Sequence, residues 1–420
     1  MTALSAPRRD FDPIDVSSQT FWSTTAAERE KTFAALRGLR PVSWHPQPEG
    51  ILSVEPDDDP GFWAVMRHAD IVEVSRRNDV FVSGQGVMFG NVPEEFLEAS
   101  QSFLAMDPPR HTTIRKLVSA AFTPRQIARI ESQIAANARE VVGELAASGD
   151  GVDFVEHCSS KLPIRTLAQM MGIPKSDWDS VVNHANTLVS VADPVFLDGR
   201  DPIATLVESL FALHQTALSL AEQRRAEPTD DLMTNLVQAE VDGARLTDAE
   251  IAAFFVLLSV AANDTTRHTT SHTMYALTQN PAQREWLMAD FDNRINGAVE
   301  EFVRWASPVM TFRRTAAKPF DLHGQEILAG EKVVMFYASG NWDAEVFTDP
   351  ERFDLSRRPN PHVGFGGGGA HYCLGSNLAK VQLRSIFREL LHQLPDIRTG
   401  EPGYVAGGFI HAIRVMPCHF

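Results

Sequence analysis

The chain has 420 residues, 44% of them hydrophobic, and a formal net charge of −16 at pH 7. That is ample material for a buried core, and the acidic balance excludes nucleic acid and anionic membrane surfaces as main partners, since both need a basic footprint. The three cysteines, Cys158, Cys373 and Cys418, stand far apart, which excludes a disulfide framework and a Cys-rich zinc site.

The opening MTALSAPRRDFDP carries two arginines with no apolar stretch behind them, and no continuous apolar run approaches the roughly 18 residues of a membrane span. A soluble, cytoplasmic protein without a transmembrane segment is therefore expected. Up to about residue 86, short strand-like runs (residues 62–66) mix with short helices, and the prolines and acids of residues 55–60 read as a surface turn. From about residue 112 to 287 the pattern is helical. One helix and short strands follow, to about residue 334. An irregular segment then runs to residue 370, before a helix over about residues 375–393 and a strand-like tail. The fold class is mainly α with minor β, and with no repeat or linker to divide it, 1–420 is read as one domain.

One helix is marked at its start. Thr247 and Glu250 form a capping box, with Leu246 and Ile251 as its hydrophobic staple. Residues 251–262, IAAFFVLLSVAA, are apolar nearly all round, the mark of a core helix. The next breaker is Pro281, so the helix spans some 30 residues, about 45 Å. Its apolar run stops at Asn263-Asp264-Thr265-Thr266. A carboxylate there is costly unless it has a task or a partner, or unless the helix emerges into solvent.

The strongest local pattern is Phe365-Gly-Gly-Gly-Gly-Ala-His371-Tyr372-Cys373-Leu374-Gly375. Glycines let a backbone approach something large and flat, or bind anions through bare N–H groups. The cysteine opens an amphipathic helix carrying Leu378, Ile386, Leu390 and Leu394, whose N-terminus favours a thiolate. A phosphate-gripping loop would need a lysine-serine ending or dinucleotide-type glycine spacing, and neither is present. An inert buried cysteine leaves the glycines unexplained.

This segment resembles the haem-binding loop of the cytochrome P-450 superfamily. Four further segments agree in order. Glu301-Phe-Val-Arg304 resembles the E-x-x-R pair of the proximal helix, and Pro350-Glu-Arg352-Phe353 the segment whose arginine joins it. Ala261-Ala262-Asn263-Asp264-Thr265 resembles the oxygen-activation segment. Asp107-Pro-Pro-Arg-His111, with Arg115, resembles a propionate-gripping segment. With the opening residues 11–15 and 62–65, the resemblance covers essentially the whole chain. It departs from the commoner pattern in two places: Phe365 is eight residues before Cys373 rather than seven, as in an actinobacterial subgroup that oxidises sterol side chains and methyl-branched lipids, and Ala262 stands where many members have glycine.

The resemblance implies a cytochrome P-450 fold, with haem b between the long central helix and the Cys373 loop. It implies dioxygen as co-substrate, no bound flavin, and electrons from an external ferredoxin and ferredoxin reductase. Cys373 would ligate the iron and push electron density toward it. Asp264 would relay protons, and the Thr265 hydroxyl would hold dioxygen or a water. His111, Arg115, Arg314 and His371 would bind the propionates, with Phe365, Gly366, Gly375 and Ala261 also against the haem. Glu301, Arg304 and Arg352 would be structural. Val87, Met88, Phe89, Leu257, Val260, Met310, Phe312, Phe409 and Ile410 would line a pocket for an apolar, lipid-like substrate, with Phe89, Phe312 and Phe409 confining the chain end. Docking of an acidic ferredoxin needs a basic patch, and Arg110, Lys116, Arg125, Arg357 and Arg358 are the candidates.

Other readings make different demands. His268 and His272, at i,i+4, have zinc-ligand spacing but lack the acid of H-E-x-x-H, and are read as polar packing. A peroxide-driven peroxygenase would lack the acid-alcohol pair. A haem sensor would need an output domain, for which the length leaves no room. A haem-free binding protein would be colourless. The protein is expected to act as a monomer.

Overall fold

The computed structural model describes residues 9–49, 60–92, 94–119, 122–190, 193–241 and 243–420, and only the backbone of 94, 95, 124, 125 and 194. Most of the acidic turn read at residues 55–60 lies outside them. The central helix spans Asp248–Gln279, 32 residues. Its capping box forms: the Thr247 hydroxyl accepts from the Glu250 amide at 3.2 Å, and the Glu250 carboxylate accepts from the Thr247 amide at 2.8 Å. The all-round apolar run is explained by what surrounds it. Helices Glu94–Gln101, Lys161–Met171, Trp178–Ser190, Pro202–Ala226 and Phe291–Ala306 all pack on this one rod. The helix does not emerge into solvent at Asp264, which is 1% exposed. Pro202–Ala226 and Asp248–Gln279 match a membrane span in length and composition, and the packing accounts for the second, which is the core helix.

The β part is a five-stranded sheet, in the order Val42–His45, Phe62–Val65, Lys332–Phe336, Thr311–Ala316, Phe81–Val82. Phe62–Val65 runs parallel to Lys332–Phe336 and the other neighbours are antiparallel. Thr311–Ala316 alternates across the sheet. Phe312 and Arg314 therefore share one face, while Arg313 turns to the Gln85–Asn91 side and binds the Gly86 carbonyl and the Asn91 side chain. Four short two-stranded ribbons complete the β content among the described residues.

The closing helix, Ser376–Gln393, packs on Pro124–Ser148 and buries Leu378, Ile386 and Leu390 as its periodicity predicts. Each such side chain contributes about 1.5–3 kcal/mol of transfer free energy. A separate aromatic cluster joins Trp22, Phe33, Phe62, Phe89 and Phe336 beneath the sheet.

Candidate active site

A cavity lies between the central helix and the Cys373 loop. Phe254, Leu258, Ala261 and Thr265 line one side, and Phe365, Cys373, Leu374 and Leu378 line the other. The Cys373 amide donates to the Phe365 carbonyl at 3.0 Å, so the loop closes despite its extra residue. Two glycines serve a purpose other than the one expected. A Cβ on Gly369 would stand 2.2 Å from the Ser75 carbonyl, and one on Gly367 would stand 2.6 Å from the Ser75 hydroxyl. They let the loop lie against helix His68–Arg76 of the protein itself, and Gly369 also has φ +78°, which glycine tolerates. Burial pushes the Cys373 thiol up, while the Gly375 amide and the charges of Arg115 and Lys380 pull it down.

One rim of the cavity is a cluster of donors without matching acids. The His111 and His371 rings are 4.2 Å apart, with Arg115 and Arg314 close to both. Burial lowers all four: His371 falls to about 2, and Arg314 lies below the usual guanidinium range. Both ring nitrogens of His111 are buried without a protein partner. Arg115 and Arg314 donate to the backbone carbonyls of Tyr372 and Arg313 and form no ion pair with a carboxylate among the described residues, while Asp107 is held by the Ser83 and Gly84 amides. Two guanidinium charges without a carboxylate call for an anion. A flat apolar group with an anionic edge fits the slot, its walls and its rim, and haem has that shape and charge.

On the other face of the central helix, Arg267 Nη2 lies 2.6 Å from Asp264 Oδ1. This is an ion pair, and no other donor bonds either carboxylate oxygen among the described residues. Burial raises the Asp264 carboxyl and Arg267 opposes it. Thr265 lines the cavity, and its hydroxyl donates to the Ala261 carbonyl at 2.9 Å.

Behind the Cys373 loop, Glu301 and Arg304 are fully buried. Arg304 makes two 2.7 Å bonds to Glu301 and donates to the carbonyls of Asn341, Pro350 and Arg352. The expected third partner is corrected here. Arg352 offers its carbonyl and its side chain is exposed, whereas Arg357 brings its guanidinium 3.3 Å from Glu301. This also removes Arg357 from the basic patch. Arg110 is committed to Glu98 and Glu250, Arg358 is exposed, and the side chain of Arg125 lies outside the described residues.

The pocket residues divide. Leu257, Ala261 and Phe312 line the cavity. Phe89 and Met310 pack in the aromatic cluster and Val87 is fully buried, its carbonyl accepting from the Arg313 amide. Phe409 stands 5.5 Å from Phe312, Ile410 bridges to Val309, and Met88 and Val260 are half-buried. Phe103, Leu104, Phe122 and Phe254 line the cavity without having been expected there. For the central helix a signal existed: 254, 258, 261, 265 and 269 form one helical stripe that includes Thr265. His268 and His272 bond to the backbone at Ile413 and His411, and no group of His, Cys, Asp or Glu among the described residues is arranged to hold a free metal ion.

Residues 61–394 match the cytochrome P450 family. The chain belongs to that family. As a P450 it is a monooxygenase, and the family implies a haem at the slot just described. It is 40% identical over 409 residues, 96% of this chain and 94% of the relative, to a methyl-branched lipid omega-hydroxylase of Mycobacterium tuberculosis. It is 39% identical over 413 residues, 96% of this chain and 92% of the relative, to a steroid C26-monooxygenase of Mycolicibacterium smegmatis. A solved Mycobacterium marinum cytochrome P450 in complex with pseudoionone shares 64% identity at a TM-score of 0.96, covering 99% of this chain and 100% of that one.

Proposed function

We propose that this P450 hydroxylates the end of a methyl-branched apolar chain, such as a branched fatty lipid, an isoprenoid or a sterol side chain. One oxygen atom comes from dioxygen, and electrons come from an external ferredoxin and its reductase. The observation that carries this is the apolar lining beside the central helix, where Phe254, Leu257, Leu258, Val309 and Phe312 present no charge. Burial stabilises such a chain by about 0.8 kcal/mol per CH₂, so no charged anchor is needed. The substrates named for the mycobacterial relatives are of the same class.

Haem b, when bound, supplies the activation of dioxygen. Cys373 would hold its iron, with the Gly375 amide and the Arg115 and Lys380 charges favouring the thiolate. His111, Arg115, Arg314 and His371 would hold the propionates, while Phe365, Gly366, Gly375 and Ala261 shape the slot. Asp264, whose carboxyl burial raises, would pass a proton toward the Thr265 hydroxyl. That hydroxyl can turn from the Ala261 carbonyl into the cavity to receive it. Phe312, backed by Phe409, would confine the chain end, because a terminal C–H is stronger than its neighbours and only steric confinement selects it. We read the protein as a cytoplasmic monomer without a bound flavin.

The test is a spin-state titration with matched branched and straight-chain lipids, followed by product analysis. Tighter binding of the branched chain and terminal hydroxylation are expected. Preference for the straight chain, or oxidation mainly at mid-chain, overturns the substrate class.

A further inference from the structure

Phe89, expected on the pocket wall, stands in the aromatic cluster, its ring 5.1 Å from Phe62, 5.7 Å from Trp22 and 6.1 Å from Phe336. Backbone lies directly against this cluster. A Cβ on Gly408 would stand 2.8 Å from the Phe89 ring and 2.9 Å from Trp22. Gly408 has no left-handed φ, so space and not torsion requires glycine there. The segment that carries it is fastened to the cavity wall. The Thr311 hydroxyl donates to the Gly408 carbonyl at 2.7 Å, the Met310 amide to the Phe409 carbonyl at 2.8 Å, and the His411 amide to the Pro308 carbonyl at 2.9 Å. Pro308, Val309 and Phe312 line the cavity, and the Phe409 ring is 5.5 Å from Phe312.

The two sides of Gly408 differ in compliance. The aromatic cluster is interlocked, and a packed interior resists an added methyl group. The other side is a wall that opens on a cavity and can yield. A side chain at position 408 therefore displaces residues 408–410 rather than the cluster, and carries Phe409 and Phe312 inward. We propose that Gly408 is a specificity-determining residue: as the thinnest spacer between the aromatic cluster and the Phe409–Phe312 wall, it sets how wide a chain end the cavity admits, and Phe89 acts through it. The inference rests on the chain-end reading of the function. A pocket discriminates one methyl group by about tenfold, so the width of the chain end is the quantity to vary.

The test is a spin-state titration of the haem-loaded enzyme with lipids of equal length ending in an n-alkyl, an isopropyl or a tert-butyl group. Gly408→Ala should weaken binding of the isopropyl-ended chain about tenfold relative to the n-alkyl chain. Adding Phe89→Val, which removes both ring atoms nearest the new Cβ and gives Trp22 room to shift, should return that ratio to within about twofold of wild type. Phe89→Val alone lets the segment settle back, and should improve the tert-butyl-ended chain about tenfold relative to the isopropyl-ended one. A general loss of stability would move haem content and Tm but not these ratios. An unmoved ratio in Gly408→Ala overturns the proposal, as does a double variant that keeps the Gly408→Ala ratio. If Gly408→Ala fails to load haem, the tert-butyl ratio in Phe89→Val decides alone, and an unchanged value overturns the proposal. A wild type that prefers the n-alkyl chain sinks the chain-end reading, while the variant ratios still report the spacer; unmoved ratios beside a wild type that prefers the isopropyl-ended chain sink this proposal only.

Discussion

The exchange of Arg352 for Arg357 behind the haem loop gives two neighbouring arginines with opposite expected behaviour. The Arg357 side chain is 8% exposed; its Nε lies 3.3 Å from Glu301, and its other nitrogens donate to the carbonyls of Thr348 at 2.6 Å, Asp349 at 3.1 Å and Arg352 at 3.0 Å. Arg357→Ala removes those donors together. Breaking a buried pair outright costs about 3–5 kcal/mol. Glu301 here keeps its two Arg304 bonds, the Asp354 amide at 2.9 Å and Asn360 at 3.0 Å, so a loss nearer 2–3 kcal/mol is expected. With an unfolding entropy of about 2.1 cal/mol/K per residue, that lowers Tm by about 3 °C in a chain of 420 residues. Arg352→Ala removes only an exposed side chain, and its carbonyl remains, so its change should stay within about 0.5 kcal/mol. Thermal and urea unfolding of the haem-loaded variants, with haem content measured beside them, makes the comparison. A destabilised Arg352→Ala beside an unaffected Arg357→Ala would refute the assignment.

Cys373→Ser should abolish the red-shifted Soret band of the ferrous–CO complex. Cys158→Ser and Cys418→Ser should keep it, since burial pushes both those thiols up, Cys418 to about 12, and both stand outside the cavity. Thr265→Ala should preserve substrate binding and oxygen consumption but divert turnover to peroxide, and Asp264→Asn should slow turnover; wild-type rate and coupling in both would show the segment misread. Burial draws His45 down to about 4, whereas an unfolded histidine titrates near 6.5. Its folded-state value is depressed, so its contribution is present above about pH 6.5 and is lost as pH falls toward 4. His45→Gln should therefore flatten the fall in urea stability between pH 6.5 and 5 by about 1 kcal/mol per pH unit relative to wild type, and identical slopes would contradict it.

Much of the architecture was legible because it follows from local rules. The capping box at Thr247, the apolar run behind it and the periodicity of Ser376–Gln393 are each written in adjacent residues. Cys373, Glu301 and Arg304 were legible for a different reason, as motifs whose residue types and spacing are uncommon together. What escaped depends on tertiary placement. Phe89 and Phe312 are equally apolar, and only the fold puts one in the aromatic cluster and the other on the cavity wall. The third member of the Glu301 network is chosen by the turn that buries Arg357 and leaves the Arg352 side chain outside. Arg110 looked like free surface charge until its two glutamates, 12 and 140 residues away, came beside it. The solvent exit considered for Asp264 was a fair reading of a polar break in an apolar run, and the packing of neighbouring helices closes it.

The most direct measurement is turnover of a methyl-branched chain under isotope-labelled dioxygen, with a ferredoxin and its reductase as the electron source. One labelled oxygen atom at the branched end of the chain, formed only when the reductase system is present, is the predicted result. Unlabelled product, product formed equally well from peroxide without the reductase system, or label placed mainly at mid-chain would contradict it.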